Sequence, residues 1–315
     1  MNNLYMMIGL PASGKSTYAK EISQETGAQI VSSDEIRKEL WGSYDDREHN
    51  SETFKVVEDK ILKELEKGDV IYDATNLNYK RRMNFLQRLK GIEKVAVLML
   101  TPYEECTKRN SLRQRKVPDE AMERMYFNID IPLYYEGFDE IIIKRADCEI
   151  ESFEKFFKRL KRIPQCNPHH TLTIGNHCKK AAMLTTLTTI KCEWSLEDLE
   201  ILYMAALVHD IGKEATKTFC DYNGNWSNIA HYYGHEHVSA YLTLLYSGAE
   251  GMLEPDSRLE ITLKLVRWHM QMHRNMAKHT IEKYKRLLGE KTWTLLKILG
   301  EADSNARWLI WPIKK

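Results

Sequence analysis

"IGLPASGKST", residues 8–17, joins an apolar run to a helical pattern that Gly27 closes. Gly9 is followed, after four residues, by Gly14, Lys15 and Ser16. The glycines let backbone N–H groups encircle phosphates, the lysine reaches the β and γ oxygens, and the hydroxyl holds Mg²⁺. This P-loop pattern predicts a site for ATP or another NTP with Mg²⁺.

Outward from this loop, four further apolar runs read as strands and alternate with helical patterns: "AQIVSS", "DVIYD", "KVAVLML" and "DEIIIK". The alternation predicts an α/β domain, a parallel sheet with helices on both faces, over residues 1–148. From about residue 167 the pattern becomes wholly helical, which predicts a linker over 149–168 and an all-α domain over 169–315. Two domains also fit the length of 315 residues.

The composition, with 43% hydrophobic and 29% charged residues, is typical of a globular protein. The sequence has no apolar run of the roughly 18–20 residues that span a bilayer and no visible signal peptide, so we expect a cytoplasmic location without membrane contact. The six cysteines form no Cys-x-x-Cys pair, which argues against a zinc ribbon and a disulfide framework. The net charge of +1 gives no overall signal for nucleic acid.

Charged residues are grouped locally. The two basic groups, residues 80–82 and 108–116, are typical of solvated helix faces. Histidine is more uneven, because only His49 precedes residue 168 and the other ten of the eleven follow it. This asymmetry predicts a phosphate-binding first half and a metal-binding second half.

Two aspartates follow the predicted strands of the first half. Asp34 stands after the second strand, where a carboxylate could take the proton of an attacking hydroxyl, or could cap the next helix together with Ser33. Asp73 ends the third strand, where it could act as a Walker-B-like carboxylate or start a turn. The sequence leaves both pairs of alternatives open.

Four segments occur in the order and approximate spacing of the phage-type polynucleotide 5'-kinases, which residues 1 to about 145 resemble: "IGLPASGKSTYAKE", "SSDEIRKEL", "DATNLNYKRRMNF" and "CTKRNSLRQRKVPDEAMERMY". The resemblance implies that Asp34 is the general base, Arg37 contacts the acceptor phosphate, and Arg109 and Arg113 clamp the donor phosphates. Those kinases share an aspartate directly before the threonine, and this chain has Ala74 at that position. The predicted catalytic residues are Lys15, Asp34, Arg37 and Arg113, and the predicted ATP-binding residues are Gly9, Ser13, Gly14, Lys15, Ser16, Thr17, Arg109 and Arg113.

"AALVHDIGK" places His209 and Asp210 at the end of an apolar helix, where two buried metal-seeking groups call for an explanation. With His177 on an earlier helix and Asp303 on the last one, they supply two imidazoles and two carboxylates, a set that holds one divalent ion. His235 and His269, on the helices between, could complete a second site. The sequence leaves one or two ions open, and the donor types suit Mn²⁺, Co²⁺, Ni²⁺, Fe²⁺ or Zn²⁺. Five other histidines are assigned to structural positions: His49, His231, His237, His273 and His279.

This order of residues resembles the HD phosphohydrolase superfamily in its two-metal form. The resemblance implies that Asp210 bridges the ions, that a water with a metal-lowered pKa attacks phosphorus, and that Lys213 and His170 contact substrate phosphate. "NPHHTLTIGNHC" and "YYGHEHVSA" also resemble HD modules of the tRNA-nucleotidyltransferase group, which are associated with hydrolysis of 2',3'-cyclic and 2' phosphates on RNA.

Together the two resemblances imply an enzyme that heals nucleic-acid ends. It would phosphorylate 5'-OH ends of RNA or DNA and remove 2',3'-cyclic, 2' or 3' phosphate from RNA ends, ahead of an RNA ligase. The alternative is a small-molecule or nucleoside kinase fused to a nucleotide phosphohydrolase. Intact motif residues argue against a degenerate binding protein, and the sequence leaves a homo-oligomer open.

Overall fold

The computed structural model describes residues 2–46, 48–189 and 194–307. The chain divides into two compact units. Unit 1 comprises Met1–Cys148 with Glu250–Leu253, and unit 2 comprises Glu149–Ala249 with the chain from Glu254 onward. The final residues of the predicted all-α domain, 308–315, lie outside the described residues.

Unit 1 has the α/β architecture that the sequence predicts. Its elements are β1 (Asn2–Ile8), α1 (Lys15–Thr26), β2 (Gln29–Ser32), α2 (Ser33–Trp41), α3 (Asn50–Leu65), β3 (Val70–Asp73), α4 (Tyr79–Leu86), β4 (Ile92–Leu100), α5 (Tyr103–Ser111), α6 (Asp119–Phe127) and β5 (Glu140–Arg145). These strands form a parallel sheet in the order β2-β3-β1-β4-β5. The predicted parallel sheet with helices on both faces is confirmed.

The central strands β1 and β4 are apolar along most of their length because helices cover the sheet. Leu4, Met7 and Leu98 are fully buried. Helix α1 packs Ala19 and Ile22 against this sheet and ends at Gly27, whose φ of 77° permits the left-handed cap that the sequence predicts. The loop between β1 and α1 therefore lies at the carboxyl edge of the sheet.

The segment after β3 holds that loop in place. The amide N–H of Gly9 donates to the carbonyl of Thr75 at 3.1 Å, and Asn76 Nδ2 donates to the carbonyl of Met7 at 2.9 Å. Asn76 adopts a left-handed φ of 46°, a conformation that asparagine tolerates better than most residues. The "TNLN" residues are thus a brace for the phosphate loop.

Arg82 fixes this brace from inside the unit. Both of its nitrogens Nε and Nη2 lie 2.7 Å from the carboxylate of Glu136, and Nη1 donates to the carbonyls of Asn76 and Asp130 at 2.6 and 2.9 Å. Arg82 and Glu136 are both buried. The interpretation of residues 80–82 as a solvated face is therefore wrong for Arg82, although Lys80 and Arg81 are exposed.

A short strand from the later part of the chain completes the sheet of unit 1. β8 (Gly251–Met252) pairs with β5 in the antiparallel sense. The amide of Leu253 donates to the carbonyl of Ile141 at 2.8 Å, and Tyr134 Oη donates to the carbonyl of Leu253 at 2.5 Å. The sequence analysis does not anticipate this strand, because two residues carry no periodic signal.

Unit 2 is mainly helical. Its elements are α7 (Phe153–Leu160), α8 (Ile174–Thr189), α9 (Leu196–Val208), α10 (Lys213–Thr216), β6 (Lys217–Cys220), β7 (Trp226–Tyr232), α11 (His235–Tyr246), α12 (Arg258–Trp268), α13 (Lys278–Leu288) and α14 (Glu290–Ala306). A helical C-terminal domain is confirmed. Helix α7 lies within the predicted linker 149–168, and it buries Phe156, Phe157 and Leu160.

The hairpin β6–β7 departs from the wholly helical expectation for unit 2. Its turn contains Asn223-Gly224, which is a strong hairpin signal between strands rich in aromatic and β-branched residues. Among the described residues, no helix combines the length and the apolar character that crossing a membrane requires.

Replacing Arg82 should destabilise unit 1 specifically. Arg82→Met leaves the buried carboxylate of Glu136 without its counter-ion, so we expect a loss of about 3–5 kcal/mol in the free energy of unfolding. The exposed neighbour serves as control, because Arg81→Met should change it by less than about 0.5 kcal/mol. The urea midpoint for loss of ATP binding measures the effect, and equal midpoints for the two variants would contradict the bracing role of Arg82.

Candidate active sites

The phosphate loop of unit 1 is built around a buried lysine. Lys15 is the first residue of α1, and its Nζ donates to the carbonyl of Leu10 at 2.7 Å. Burial lowers the pKa of Lys15 to about 8, against the opposing charge of Asp73. A Cβ on Gly9 would lie 2.8 Å from Ser13 Oγ, so only glycine fits there.

The remaining loop residues face outward or brace the loop. Gly14 has a φ of 99°, and Thr101 Oγ1 donates to the carbonyl of Ser13 at 3.0 Å. Ser16 and Thr17 are exposed in the first turn of α1. The N–H groups of a helix N-terminus suit an anion, so the position of the loop at the start of α1 is compatible with phosphate binding.

Asp34 lies in the first turn of α2 rather than at its cap. Ser32 occupies the N-cap position, so the N-cap interpretation of Asp34 is wrong. Its Oδ1 is 2.9 Å from Arg37 Nη1, and its Oδ2 is 2.9 Å from Arg115 Nη1. Both carboxylate oxygens therefore accept hydrogen bonds from guanidinium groups, which places a candidate proton acceptor among cations.

Arg115 is the residue of this site that sequence reasoning missed. Besides Asp34, its guanidinium contacts Asp45 Oδ1 at 3.0 Å and the carbonyl of Tyr44 at 2.8 Å. Arg113 is exposed, and its charge acts on Lys15. Arg109 is paired with Glu105 at 2.7 Å on its own helix. The basic group 108–116 signalled a site, but spacing alone does not tell which arginine turns toward Asp34.

Unit 2 gathers the first predicted metal set at one buried point. The set comprises His177 on α8, His209 and Asp210 after α9, and Asp303 on α14, and its ligand atoms lie within 4.8 Å of one another. His177 Nε2 is 3.0 Å from Asp303 Oδ1 and 3.3 Å from Asp210 Oδ2. His209 Nε2 is also 3.3 Å from Asp210 Oδ2.

A second set uses the other oxygen of the same carboxylate. His235 Nε2 lies 3.2 Å from Asp210 Oδ1, and His269 Nε2 lies 3.7 Å from it. The two imidazole Nε2 atoms are 3.2 Å apart. The structure thus brings all six predicted ligands together, with Asp210 common to both sets.

Backbone carbonyls orient three of the four imidazoles. The Nδ1 atoms of His209, His235 and His269 lie 2.8, 2.7 and 2.7 Å from the carbonyls of Ala206, Tyr232 and Val266. A carbonyl only accepts, so each Nδ1 carries a proton, and Nε2 is the atom through which each ring, once neutral, would bind a metal. The Nε2 atoms of His177 and His209 are buried without a hydrogen bond. A bound divalent ion would satisfy these atoms, so the residues fit a metal site.

Comparisons with known proteins agree with both halves of this description. A family model described as an AAA domain matches residues 4–132, and one described as an HD domain matches residues 169–308. The L-seryl-tRNA(Sec) kinase of Methanococcus maripaludis is 30% identical over 184 residues, which cover 54% of this chain and 68% of that protein. The chain belongs to the P-loop kinases and carries an HD domain C-terminal to its kinase domain in the sequence.

Other relatives and solved structures match a smaller share of this chain. The adenylate kinase of Thermosipho melanesiensis is 28% identical over 142 residues, 44% of this chain and 56% of that protein. A Janibacter sugar kinase has a TM-score of 0.37 at 16% identity, covering 46% of this chain and 86% of that one. The Pnkp1/Rnl/Hen1 complex has a TM-score of 0.32 at 24% identity, covering 38% and 42%.

The charges of the HD site are set by burial and by mutual attraction. Burial alone would raise the pKa of Asp210, but the charges of His209 and Lys213 outweigh it and hold that pKa well below its usual range. Burial lowers the pKa of His269 to about 3, and burial also lowers the pKa of His170 to about 3. Both imidazoles are therefore neutral near pH 7, which is the form that binds metal.

The two predicted phosphate contacts of the HD domain lie beside the metal ligands. Lys213 Nζ is 2.6 Å from Asp210 Oδ2 and donates to Gln165 Oε1 at 2.9 Å. The His170 ring stands edge-on to that of His177 at 5.0 Å between centroids. Lys213 thus holds the shared aspartate in this structure, and a substrate phosphate would compete for its charge.

His273 is a further residue of the HD site that the sequence analysis placed among the structural histidines. Its Nε2 lies 2.6 Å from Asp303 Oδ2, and its Nδ1 accepts from Arg307 Nη2 at 3.0 Å. The arginine donates, so the proton of His273 lies on Nε2 and points at Asp303. His273 therefore orients the ligand carboxylate, and its spacing of four residues from His269 was the available signal.

Metal content tests the two ligand sets. Asp210→Ala removes the residue common to both sets and should abolish binding of Mn²⁺, whereas His235→Ala or His269→Ala should lower the content toward one equivalent. His279→Ala, on an exposed position of α13, is the control and should keep the full content. Elemental analysis after dialysis measures the metal content. An unchanged metal content in His235→Ala would contradict the assignment of His235 to a second metal site.

The kinase site has its own matched pair of variants. Asp34→Asn should keep ATP binding but lower phosphoryl transfer by about 10²- to 10⁴-fold, as loss of a general base does. Asp45→Asn removes the other carboxylate that Arg115 contacts and should leave turnover near normal. Rates under saturating ATP decide the matter, and equal effects of the two substitutions would show that only the Arg115 contacts matter.

Proposed function

We propose that this chain heals broken nucleic-acid ends: its kinase domain phosphorylates 5'-OH ends, and its HD domain removes 2',3'-cyclic, 2' or 3' phosphate from RNA ends. The observation that carries the proposal is the pairing itself. One chain holds a carboxylate poised beside a phosphate loop and a carboxylate shared by two metal-ligand sets. The first arrangement suits adding a phosphate, and the second suits removing one.

In the kinase domain the acceptor would enter beside Asp34. Its carboxylate takes the proton of the attacking 5'-hydroxyl, which requires that one of the two guanidinium groups release an oxygen. Arg37 is buried and held by Asn50 Oδ1 at 3.1 Å, so Arg115 is the one that moves. Lys15, Arg109 and Arg113 neutralise charge on the transferred phosphoryl group of Mg²⁺·ATP or another NTP.

The sequence relatives support an RNA-borne acceptor. The Methanococcus maripaludis relative is, by its name, a kinase of a seryl-tRNA. The chain's Ala74 stands where the phage-type polynucleotide kinases carry an aspartate, so Arg37 and Arg115 are the groups left to hold the acceptor strand. Two guanidinium groups suit a phosphodiester, because each can bind two phosphate oxygens at once.

In the HD domain the six ligands would hold one or two divalent ions, and Asp210 would face both. When bound, such ions polarise a phosphoryl oxygen and lower the pKa of a water. Lys213 exchanges its contact with Asp210 for the substrate phosphate, and neutral His170 can hydrogen-bond to that phosphate from beside His177. Imidazole donors favour Mn²⁺, Co²⁺, Ni²⁺, Fe²⁺ or Zn²⁺ over Mg²⁺.

The two reactions are complementary on one substrate. RNA cleavage that leaves a 5'-OH on one fragment and a 2',3'-phosphate on the other produces ends that a ligase joining 5'-phosphate to 3'-OH cannot use. Adding phosphate to the first end and clearing it from the second reverses both defects. The products would then serve an RNA ligase acting downstream.

A second candidate is a nucleoside or small-molecule kinase fused to a nucleotide phosphohydrolase. The observation that favours it is the 28% identity to an adenylate kinase, whose acceptor is itself a nucleotide. Both candidates use the same loop and the same metal ligands, so substrate preference distinguishes them.

One doubly broken RNA tests the proposal. An oligonucleotide with a 5'-OH and a 2',3'-cyclic phosphate should gain a 5'-phosphate and lose the cyclic phosphate when ATP, Mg²⁺ and Mn²⁺ are present. Lys15→Ala should abolish only the first change and Asp210→Ala only the second, since each variant removes one site. Mass spectrometry of the product reads both ends at once.

Competing substrates complete this experiment. Free nucleosides serve as alternative phosphate acceptors, and dGTP and other nucleotides serve as alternative substrates of the HD domain. Faster turnover of free nucleosides than of the 5'-OH end would support the second candidate for the kinase domain. Preference for dGTP over every RNA end would do so for the HD domain.

A further inference from the structure

The hairpin β6–β7 of unit 2 is joined directly to the metal site at both ends. β6 begins at Lys217, after the short helix α10 that starts at Lys213. β7 ends at Tyr232, whose carbonyl accepts the Nδ1 proton of His235 at 2.7 Å. Lys213 Nζ also lies 5.3 Å from the centre of the Tyr232 ring. The position of the hairpin is therefore coupled to that of the ligands.

We define an aromatic hairpin surface as three clustered rings, Tyr222, His231 and Tyr233, together with the exposed Trp226 of the same hairpin. Tyr222 is 87% exposed and Trp226 73% exposed. The His231 and Tyr233 rings are stacked with an interplanar angle of 5° and centroids 5.4 Å apart, and Tyr222 stands edge-on to Tyr233 at 5.3 Å. Large rings in such exposed positions are typical of binding surfaces rather than of structural ones.

The turn that displays Tyr222 is ordered by its own hydrogen bonds. Asp221 Oδ1 accepts from the amides of Asn223 and Asn225, both at 2.8 Å, and the amide of Asp221 donates to the carbonyl of Asn225 at 2.8 Å. Gly224 takes the left-handed φ of 84° that the turn needs. A pre-ordered turn presents its side chains with little further loss of entropy on binding.

The strand β7 is anchored to residues 165–167 through Ala230 and Tyr232. The amide of Ala230 donates to the carbonyl of Cys166 at 2.9 Å, and Asn167 Nδ2 donates to the carbonyl of Ala230 at 3.2 Å. Tyr232 Oη also donates to the carbonyl of Gln165. These contacts hold the buried middle of β7 against residues 165–167, while the exposed rings stay accessible.

We propose that the aromatic hairpin surface binds unpaired nucleobases of an RNA strand whose terminal phosphate lies in the HD site. This inference rests on the proposed RNA-end activity of the HD domain. Aromatic side chains stack on every base regardless of sequence, which suits a strand of arbitrary sequence. His231 precedes the ligand His235 by four residues, so the chain keeps its Cα within at most about 15 Å of that ligand's Cα.

The charges of the hairpin are compatible with a phosphodiester chain. Within residues 213–235, all of which the structure describes, the carboxylates are Glu214 and Asp221. Arg159 binds Glu214 at 2.7 and 3.1 Å, and the turn occupies both oxygens of Asp221. Arg159 thus compensates the charge of Glu214, Asp221 keeps its charge within the turn, and Lys217 adds a positive charge at the start of β6. These charges are compatible with a phosphodiester strand, and the exposed rings, which can stack on bases, favour RNA over an acidic protein segment.

Two exposed substitutions test the surface by kinetics. Tyr222→Ala and Trp226→Ala should each raise KM for an RNA oligonucleotide with a 2',3'-cyclic phosphate by roughly tenfold, the effect of losing one base–aromatic stack. The kcat for this RNA and the kcat/KM for a free 2',3'-cyclic mononucleotide should stay unchanged, because the metal ligands are untouched. Trp226→Phe should restore most of the affinity.

The matched control is Tyr203→Ala, which removes a partly exposed ring (39%) on α9, outside the hairpin. This substitution should change neither the KM for the RNA oligonucleotide nor the kcat/KM for the cyclic mononucleotide. An unchanged oligonucleotide KM in the double variant Tyr222→Ala/Trp226→Ala overturns the inference. So does a change of molecular mass by light scattering at unchanged KM, since the surface would then join two copies of the chain.

Failure of the proposed function remains distinguishable from failure of this inference. If the wild-type enzyme hydrolyses no RNA end, fluorescence anisotropy with a labelled single-stranded RNA bearing a 3'-phosphate tests the surface directly. Binding by the wild type that weakens in the double variant supports the surface without the activity. Equal binding by both proteins, with folding verified by circular dichroism, overturns it.

Discussion

The carboxylate of Asp210 is the point on which unit 2 depends. The groups that face it or its neighbour Asp303 lie on α8, α11 and α14 and directly after α9 and α12. A buried carboxylate without partners would be strongly unfavourable, but here imidazoles and Lys213 surround it and keep it ionised. The packing of the helices brings these partners together around the carboxylate, so the geometry of the metal site contributes to the stability of the helical unit.

The kinase unit uses a buried ion pair for a similar purpose, but at a distance from the reacting atoms. Arg82 and Glu136 compensate each other, and the same guanidinium donates to the backbone carbonyl of Asn76. Asn76 and Thr75 then hold the strand and the loop that carry Lys15. The phosphate loop is thus rigid because the segment beside it is anchored by charge inside the unit.

In both sites a basic side chain contacts the central carboxylate. Arg115 contacts Asp34 at 2.9 Å, and Lys213 contacts Asp210 at 2.6 Å. Arg115 lies between α5 and α6, Lys213 is the first residue of α10, and each carboxylate has further partners. A phosphate group competes well for such a cation, because charge-assisted hydrogen bonds to phosphate are strong. Under the proposed function, an arriving phosphate would draw Arg115 away from Asp34 and leave that carboxylate free to accept a proton.

The features that follow from local chemistry could be predicted from the sequence. Glycines, a lysine and a hydroxyl between a strand and a helix predict a phosphate loop, and the order of the histidines and aspartates in the second half predicts a site for one or two metal ions. Tertiary structure decided the rest. The buried ion pair of Arg82 could not be predicted locally, because its partner Glu136 lies 54 residues away. The conformation of the segment after α5 places Arg115, and not Arg113, against Asp34. Strand β8 joined the sheet of unit 1 although it comes from the second half of the chain, because an edge strand's backbone accepts any short segment that reaches it. Such pairings depend on contacts between distant residues, which no local pattern records.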